Sequence, residues 1–115
     1  MPSSEEFLAG DIVVVPFPYT DRLAEKRRPA LVVSNAKLVR FGVVWVAMIT
    51  SAENEPWSCD VGIADLDRAG LPAASVVRSA KIACIEPTRI LRRAGKLDRR
   101  TSQAVASKLR DFLSN

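Results

Sequence analysis

Residues 41–50 have the sequence FGVVWVAMIT, the most apolar and β-branched stretch of the chain. Its length is typical of a central strand that is covered on both faces of a sheet, so we predict the third strand here. Two strands are expected before it, at Asp11–Phe17 and at 30–34, because both runs are β-branched and the first is stopped by prolines. The polar residues 19–28 between them predict a long exposed loop.

After the central stretch, residues 57–63 predict a shorter fourth strand, and 65–70 predict one helical turn that ends at Gly70. Ser75–Ile85 returns to strand character, with a bend near Ser79 and Ala80, which makes five or six strands. Apolar residues at spacings of three to four then predict an amphipathic helix over about 98–113, with Asp98 as its N-cap. This order favours an α+β domain, a small curled antiparallel sheet or barrel with helices against it.

Length and composition indicate one folded domain over residues 1–115. Hydrophobic residues make up 48% of the chain and charged residues 26%, which is typical of a globular protein. The longest nearly uncharged stretch is much shorter than the roughly 20 residues of a membrane span, and the N-terminus is acidic. We therefore expect a cytoplasmic protein without a membrane segment, in which Cys59 and Cys84 are small, buried and reduced.

The charge distribution suits an anionic partner. Lys and Arg number 17 against 13 acids, a net charge of +4, and most bases lie in residues 22–28 and 78–110. A basic surface at these places would attract phosphate backbones or an acidic protein segment.

The residues that are missing limit the chemistry. The chain contains no histidine, which excludes Ser-His-Asp and Cys-His triads and histidine-pair ribonuclease chemistry. No glycine-rich phosphate-binding motif occurs, and the carboxylates have no metal-ligand spacing, so neither cofactor nor metal is expected.

Arginines beside hydroxyls remain, and this combination suits phosphate. Arg27 and Arg28 precede the second strand, Thr50 and Ser51 end the third, and Arg78 lies in the fifth. An arginine fork can bind two phosphate oxygens, and a hydroxyl adds a neutral donor. If the phosphate belongs to RNA, its 2′-OH is an internal nucleophile, so cleavage needs only proton transfer and stabilisation of the phosphorane, without a metal.

Four segments together resemble the MazF/PemK family of toxins from bacterial type II toxin–antitoxin modules. They are GDIVVVPFPYTD (10–21), RRPALVVSN (27–35), AMITS (47–51) and GLPAASVVRSAKIACIEPTRI (70–90). The resemblance extends from residue 10 to about residue 113. It implies an SH3-like barrel, a homodimer, and metal-independent, sequence-specific cleavage of single-stranded RNA, in particular mRNA, through a 2′,3′-cyclic phosphate. It also implies a cognate antitoxin with an acidic, partly disordered tail.

The resemblance assigns roles to individual residues. Arg28 matches the arginine that acts as catalytic acid and phosphate-stabilising cation, and Thr50 matches the hydroxyl that holds the scissile phosphate. Arg78 matches an arginine that acts in proton transfer or on the phosphate. The residues expected to bind RNA beside them are Arg27, Ser51 and Lys81.

Two departures affect the general base. PemK-type members often have an aspartate two residues after the arginine that Arg78 matches, whereas this chain has Ala80, and some have an early histidine, which is missing here. Glu25, in the loop where related toxins also place a glutamate, is the candidate base.

Several alternatives stay open. Arg78 could instead form a structural ion pair with Glu86 or Asp60, and Thr50 and Ser51 could simply satisfy a turn. Trp45 and Trp57 are expected in the core or in dimer contacts rather than as base-stacking platforms. The chain could also be a non-catalytic protein of the same fold that binds RNA, an antitoxin or DNA gyrase, although gyrase-binding relatives end in Trp-Gly-Ile and this chain ends in Leu-Ser-Asn.

Overall fold

A computed structural model describes residues 6–17 and 26–115 of the chain. In this part of the chain the strands are β1 (Asp11–Phe17), β2 (Lys26–Val32), β3 (Val44–Ser51), β4 (Asp60–Gly62), β5 (Ser75–Ile85) and β6 (Arg92–Lys96). The α-helices of the same residues are α1 (Leu66–Ala69) and α2 (Arg99–Leu113), and 3-10 turns occupy Ala36–Phe41 and Pro87–Arg89.

The strands form one antiparallel sheet in the order β4-β5-β3-β2-β1-β6. The α+β class, the antiparallel sheet and the C-terminal helix are confirmed, whereas the sixth strand of the sheet, β6, is not one of the predicted strands. Within the described residues β4 and β6 are the two edges of the sheet, which is therefore open. The closed SH3-like barrel that the resemblance implies is not confirmed.

Residues 46–50 of β3 are buried on both faces, as the composition of the strand predicts, whereas Trp45 and Ser51 are exposed. Successive side chains of a strand point to opposite faces. Ala47 and Ile49 accordingly join one hydrophobic cluster, which includes Val105 of α2, whereas Val46 and Met48 join a second cluster on the other face. Among the described residues the sheet therefore has two hydrophobic layers, of which the first contains Val105 of α2 and the second contains no residue of that helix.

Strand β2 begins earlier than its composition predicts. The expected bounds were 30–34, but the strand runs over Lys26–Val32 because Pro16 and Phe17 of β1 pair with Arg27 and Lys26. Pairing with a neighbouring strand overrides the low strand propensity of charged residues. Both adjacent arginines therefore lie on the sheet and not in the loop that was predicted for them.

Other boundaries differ for local reasons. The Asn35 Oδ1 accepts from the Lys37 N–H at 2.9 Å and starts a 3-10 turn, which Gly42 ends, so β3 begins at Val44 and not at Phe41. Strand β4 is shorter than the predicted 57–63, since Asp60 Oδ2 accepts from the Trp57 N–H in a turn.

Strand β6 was not predicted, because its sequence RRAGK has no β-branched or aromatic residue. It forms by pairing with β1, where Asp11 lies opposite Lys96, and the carboxylate of Asp11 also contacts Arg93 Nε at 3.2 Å. The segment is a strand because of its pairing with β1 and its ion pairs, since its own strand propensity is low.

The helices and β5 match their predictions. Asp65 caps α1, and Asp98 caps α2 by accepting from the Thr101 N–H at 3.1 Å. The bend predicted near Ser79 and Ala80 is a bulge: three residues, 79–81, separate the pairs Met48–Arg78 and Ala47–Ile82.

Two further observations concern the cysteines and the helices. Cys59 is buried as predicted, but Cys84 is exposed, so the expectation that it is buried was wrong; both are free thiols. Neither helix in the described part of the chain has the length and hydropathy that a membrane span requires.

Gly70 and Gly42 make a matched pair for testing the packing between α1 and β6. Both have positive φ, +74° and +75°, but a Cβ at Gly70 would lie 2.0 Å from the Ala94 carbonyl oxygen, whereas a Cβ at Gly42 would meet nothing within 4 Å. We expect Gly42→Ala to lower the free energy of unfolding by about 1–2 kcal/mol, through backbone strain alone. Gly70→Ala should lower it by about 3 kcal/mol or more, because steric overlap is added. Urea denaturation measures both values, and equal losses would contradict the close packing.

Candidate active site

Arg28, Thr50 and Arg78 lie on one face of the sheet. The pair Ala30–Met48 is the last one between β2 and β3, and Arg28 and Thr50 each lie two residues beyond it, at the same end. Residues two apart in a strand share a face, and Arg78 pairs with Met48 from the other side. Three strands thus bring two guanidinium groups and one hydroxyl to the same face, as an extension of the layer that contains Met48.

The other predicted residues are less closely grouped. Arg27 is exposed and points to the face opposite Arg28, because the two are consecutive in β2. Ser51 is exposed at the end of β3, and Lys81 is exposed in the β5 bulge. Glu25, the candidate base, lies outside the described residues.

Thr50 is 8% exposed and its hydroxyl is bound by the following turn. Its Oγ1 accepts a hydrogen bond from Asn54 Nδ2 at 2.6 Å, while Ser51 Oγ accepts from the Glu53 N–H at 3.2 Å. The two hydroxyls do satisfy a turn, the alternative left open above. Asn54 was missed because a turn-forming residue in sequence gives no sign of which strand its side chain will contact.

Arg78 is 8% exposed and forms a bidentate ion pair with Asp60 of β4. Its Nε and Nη2 donate to Asp60 Oδ1 and Oδ2, both at 2.9 Å, and Nη2 also donates to the Glu55 carbonyl oxygen at 2.9 Å. The guanidinium lies over the Trp57 ring, 4.4 Å from its centroid. Of the two structural partners considered for Arg78, the structure shows Asp60.

The ion pair holds both groups in their charged forms. Hydrogen bonds from the Arg78 guanidinium lower the pKa of the Asp60 carboxyl from its ordinary value, although burial opposes this. The same hydrogen bonds raise the pKa of Arg78. A carboxyl with a lowered pKa is a poor proton acceptor at neutral pH, and the Nε and Nη2 protons of Arg78 are engaged in hydrogen bonds to Asp60 and Glu55. Neither partner is therefore suited to move a proton at neutral pH.

The remaining chemistry is that of a cation and a neutral donor. Within residues 6–17 and 26–115, no three His, Cys, Asp or Glu side chains are grouped as a metal site would need. Arg28 can donate two parallel hydrogen bonds to an oxyanion, and the Thr50 hydroxyl can donate one more. This arrangement suits a phosphate group.

Comparison with known families agrees with the geometry. Residues 8–113 match the model of the PemK-like, MazF-like toxins of type II toxin–antitoxin systems. The chain belongs to the PemK/MazF toxin family. It is a MazF-like toxin of a type II toxin–antitoxin system, and toxins of this family are known endoribonucleases. No curated protein sequence matches it.

Solved structures share the fold at low identity. Mycobacterium tuberculosis toxin MazF-mt6 has a TM-score of 0.70 at 21% identity over 90% of this chain and 95% of its own. MazF from Deinococcus radiodurans has a TM-score of 0.72 at 23% identity over 92% and 94%. A mycobacterial endoribonuclease in complex with its cognate antitoxin has a TM-score of 0.74 at 17% identity over 94% and 95%. At these identities the similarity shows the MazF-like fold.

The pKa of Asp60 gives a test of the ion pair. A lowered folded-state pKa contributes stability above the unfolded value of 3.8, and that contribution is lost as the pH falls through the lower folded value. We expect Asp60→Asn to lower the free energy of unfolding by roughly 3 kcal/mol at pH 7, because it leaves Arg78 without its counter-charge. The difference from wild type should shrink below about pH 4.

Urea unfolding at a series of pH values from 7 down to 3 measures this difference. Asp111→Asn, which changes an exposed carboxylate of α2, is the control. A constant difference between Asp60→Asn and wild type across the series would contradict the role of Asp60 as the charged partner of Arg78.

Proposed function

We propose that this toxin is a metal-independent, sequence-specific endoribonuclease that cleaves single-stranded RNA, in particular mRNA, and thereby inhibits translation and growth. The observation that carries the proposal is the placement of Arg28 and Thr50 at matching positions of neighbouring strands, on one face. Together they offer donors to two or more oxygens of one phosphate. The family's known activity supports the same reaction.

The 2′-OH of the RNA attacks the adjacent phosphorus and forms a 2′,3′-cyclic phosphate as the 5′-oxygen leaves. Negative charge grows on the non-bridging oxygens in the phosphorane, where the Arg28 guanidinium and the Thr50 hydroxyl donate hydrogen bonds. Arg28 also supplies the proton that the leaving 5′-oxygen takes up, and regains a proton from water afterwards. Ser51 and Lys81 bind flanking phosphates from exposed positions, and Arg27, on the opposite face of the sheet, attracts the RNA through its charge.

Glu25 is the proposed general base that accepts the proton of the 2′-OH. Arg78 is retained in the proposal with a different role from the proton transfer that the resemblance implies. Because its Nε and Nη2 are bound to Asp60 and Glu55, Arg78 positions the residues around the phosphate and contributes its positive charge.

An antitoxin with an acidic, partly disordered tail is the proposed protein partner. Several structures with this fold are MazE–MazF complexes from Deinococcus radiodurans, and another holds an endoribonuclease with its cognate antitoxin. The net charge of +4 on this chain suits an acidic segment, which would compete with RNA for the same cations.

An exposed apolar groove supports a homodimer. The groove has a volume of about 760 Å³ and lies between α2, the β5 bulge and β3. Its exposed apolar side chains include Trp45, Ile82, Phe112 and Leu113. A contiguous apolar surface of this kind is typical of a protein–protein interface, and we propose that a second copy of the chain covers it. Trp45, expected in the core or a dimer contact, is 43% exposed and would be a dimer contact.

The two adjacent arginines give a matched test of catalysis. In EDTA, Arg28→Ala should lower kcat/KM for a mixed-sequence RNA by roughly 10³-fold or more, because it removes the phosphorane-stabilising cation and the acid. Arg27→Ala should lower it by about tenfold or less, and the loss should fall as salt rises. Both should fold, since neither side chain is in the core.

Gel analysis of end-labelled RNA measures the rates, and circular dichroism checks folding. Wild-type protein that is folded but leaves the RNA intact would contradict the endoribonuclease. Salt-sensitive RNA binding without cleavage would favour instead a non-catalytic RNA-binding member of the family.

The groove is tested by placing a charge in it. Trp45→Asp should convert the dimer into a monomer at micromolar concentration, because a buried unpaired carboxylate is strongly unfavourable at an interface. Phe41→Asp is the matched control, since Phe41 is also exposed but does not line the groove. Light scattering coupled to size-exclusion chromatography measures both. A wild-type monomer, or a Trp45→Asp dimer, would contradict the proposed interface.

A further inference from the structure

The loop between β3 and β4, residues 52–59, holds an amide against the hydroxyl of Thr50. Asn54 Nδ2 donates to Thr50 Oγ1 across 2.6 Å. A threonine hydroxyl has one proton to donate and two lone pairs that accept. Because the amide of Asn54 occupies a lone pair, the Thr50 proton remains available to an acceptor on the face that Thr50 shares with Arg28.

We propose that Asn54 is a positioning residue for RNA cleavage, which directs the hydroxyl proton of Thr50 toward the scissile phosphate. The inference rests on the proposed endoribonuclease function, since it takes Thr50 as a donor to that phosphate. Asn54 acts through Thr50 and not by contact with the RNA.

A tight turn brings Asn54 back over the end of β3. The Asn54 N–H donates to the Ser51 carbonyl oxygen at 3.1 Å, and the Glu53 N–H donates to Ser51 Oγ at 3.2 Å. These two bonds fix the backbone from the end of the strand to Asn54. The side chain can then reach a hydroxyl four residues earlier in the chain.

The Arg78–Asp60 ion pair binds the part of the loop that follows Asn54 in the chain. Arg78 Nη2 binds the carbonyl oxygen of Glu55, the next residue in the chain, at 2.9 Å. Asp60 Oδ2 accepts from the Trp57 N–H at 2.9 Å, and the Trp57 ring lies against the guanidinium. Residues 52–58 are all exposed, so these contacts with two largely buried charges keep the loop in place. A donor that is oriented before the substrate binds needs no reorganisation in the transition state.

The positioning role requires a hydrogen-bond donor at residue 54, which the Asn54 amide supplies. A nitrogen donor leaves the threonine proton available, whereas a carboxylate at the same place accepts that proton and adds a negative charge near the phosphate. Asn54→Ala removes the orientation, and Asn54→Asp reverses it. The two variants therefore predict different losses.

A double-mutant cycle tests whether Asn54 acts through Thr50. We expect Asn54→Ala to lower kcat on a defined RNA about tenfold with little change in KM, as the loss of one hydrogen bond in the transition state would do. Thr50→Val, which keeps the side-chain shape, should cost roughly 10²-fold in kcat. The double variant Asn54→Ala/Thr50→Val should be no slower than Thr50→Val alone.

Ser58→Ala, at an exposed position of the same loop, is the matched control and should have wild-type kcat. Full activity of Asn54→Ala, or losses that multiply in the double variant, would overturn the inference and leave the endoribonuclease standing. A folded wild-type protein without cleavage activity would overturn the proposed function, and this inference with it.

The pH dependence of Asn54→Asp gives a second readout that a merely structural role would not produce. At pH 7 we expect this variant to be slower than Asn54→Ala. As the pH falls from 7 to 5, its rate relative to wild type should rise by roughly tenfold in all, mostly between pH 6 and 5, since only the protonated carboxyl, with an ordinary pKa of about 3.9, can donate to Thr50, and the charged form should be about as slow as Thr50→Val. The relative rate of Asn54→Ala should stay constant. Wild-type activity of Asn54→Asp at pH 7 would show that the amide oxygen faces Thr50, and would overturn the inference.

Discussion

Burial of β3 on both faces is the constraint on which the rest of the structure depends. Its side chains supply two hydrophobic layers alternately, so the strand must lie inside the sheet with a neighbour on each side. A shift of one residue in its register would exchange the two layers and place Met48 among the partners of Ile49. The pairing of β3 with β2 and β5 is therefore strongly specified.

That register also determines the position of the polar groups at the end of the sheet. Thr50 follows Met48 on one face, and the register of the two neighbouring strands places Arg28 and Arg78 on the same face. The packing of the hydrophobic layer that contains Met48 thus determines where Arg28, Thr50 and Arg78 lie, although these polar residues add little to that layer. Polar side chains on strands are held more precisely than they would be on loops, which suits the proposed phosphate site.

The sequence predicted the parts of the fold that depend on local pattern. Buried β3, capped α2 and the turn that ends at Gly70 all have signals within a few residues. Strand β6 and the early start of β2 could not be found in this way, because both depend on pairing with β1. Local propensity has no information about such distant partners.

The candidate site also contains residues that the sequence predicted and residues that it did not. The arginines and Thr50 were predicted because guanidinium and hydroxyl groups at strand ends suit phosphate. The family resemblance then assigned catalytic roles to three of these residues. Asp60 was considered only as one of two partners for Arg78, and Asn54 was not considered. Asp60 contacts Arg78 and Asn54 contacts Thr50 because the folded chain brings each pair together, and the spacing of these residues in the sequence does not indicate either contact.

The Arg78–Asp60 ion pair is better explained by what it orients than by the stability it adds. A buried ion pair is often no more stabilising than two well-packed apolar side chains, since both charges must be removed from water. Two apolar side chains could fill the same space, but they could not donate to the Glu55 carbonyl oxygen or accept from the Trp57 N–H. Those two bonds connect an otherwise exposed loop to the sheet on either side of Pro56. The ion pair thus fixes the geometry of a loop next to Thr50, whose hydroxyl proton is directed by Asn54 in the proposed mechanism.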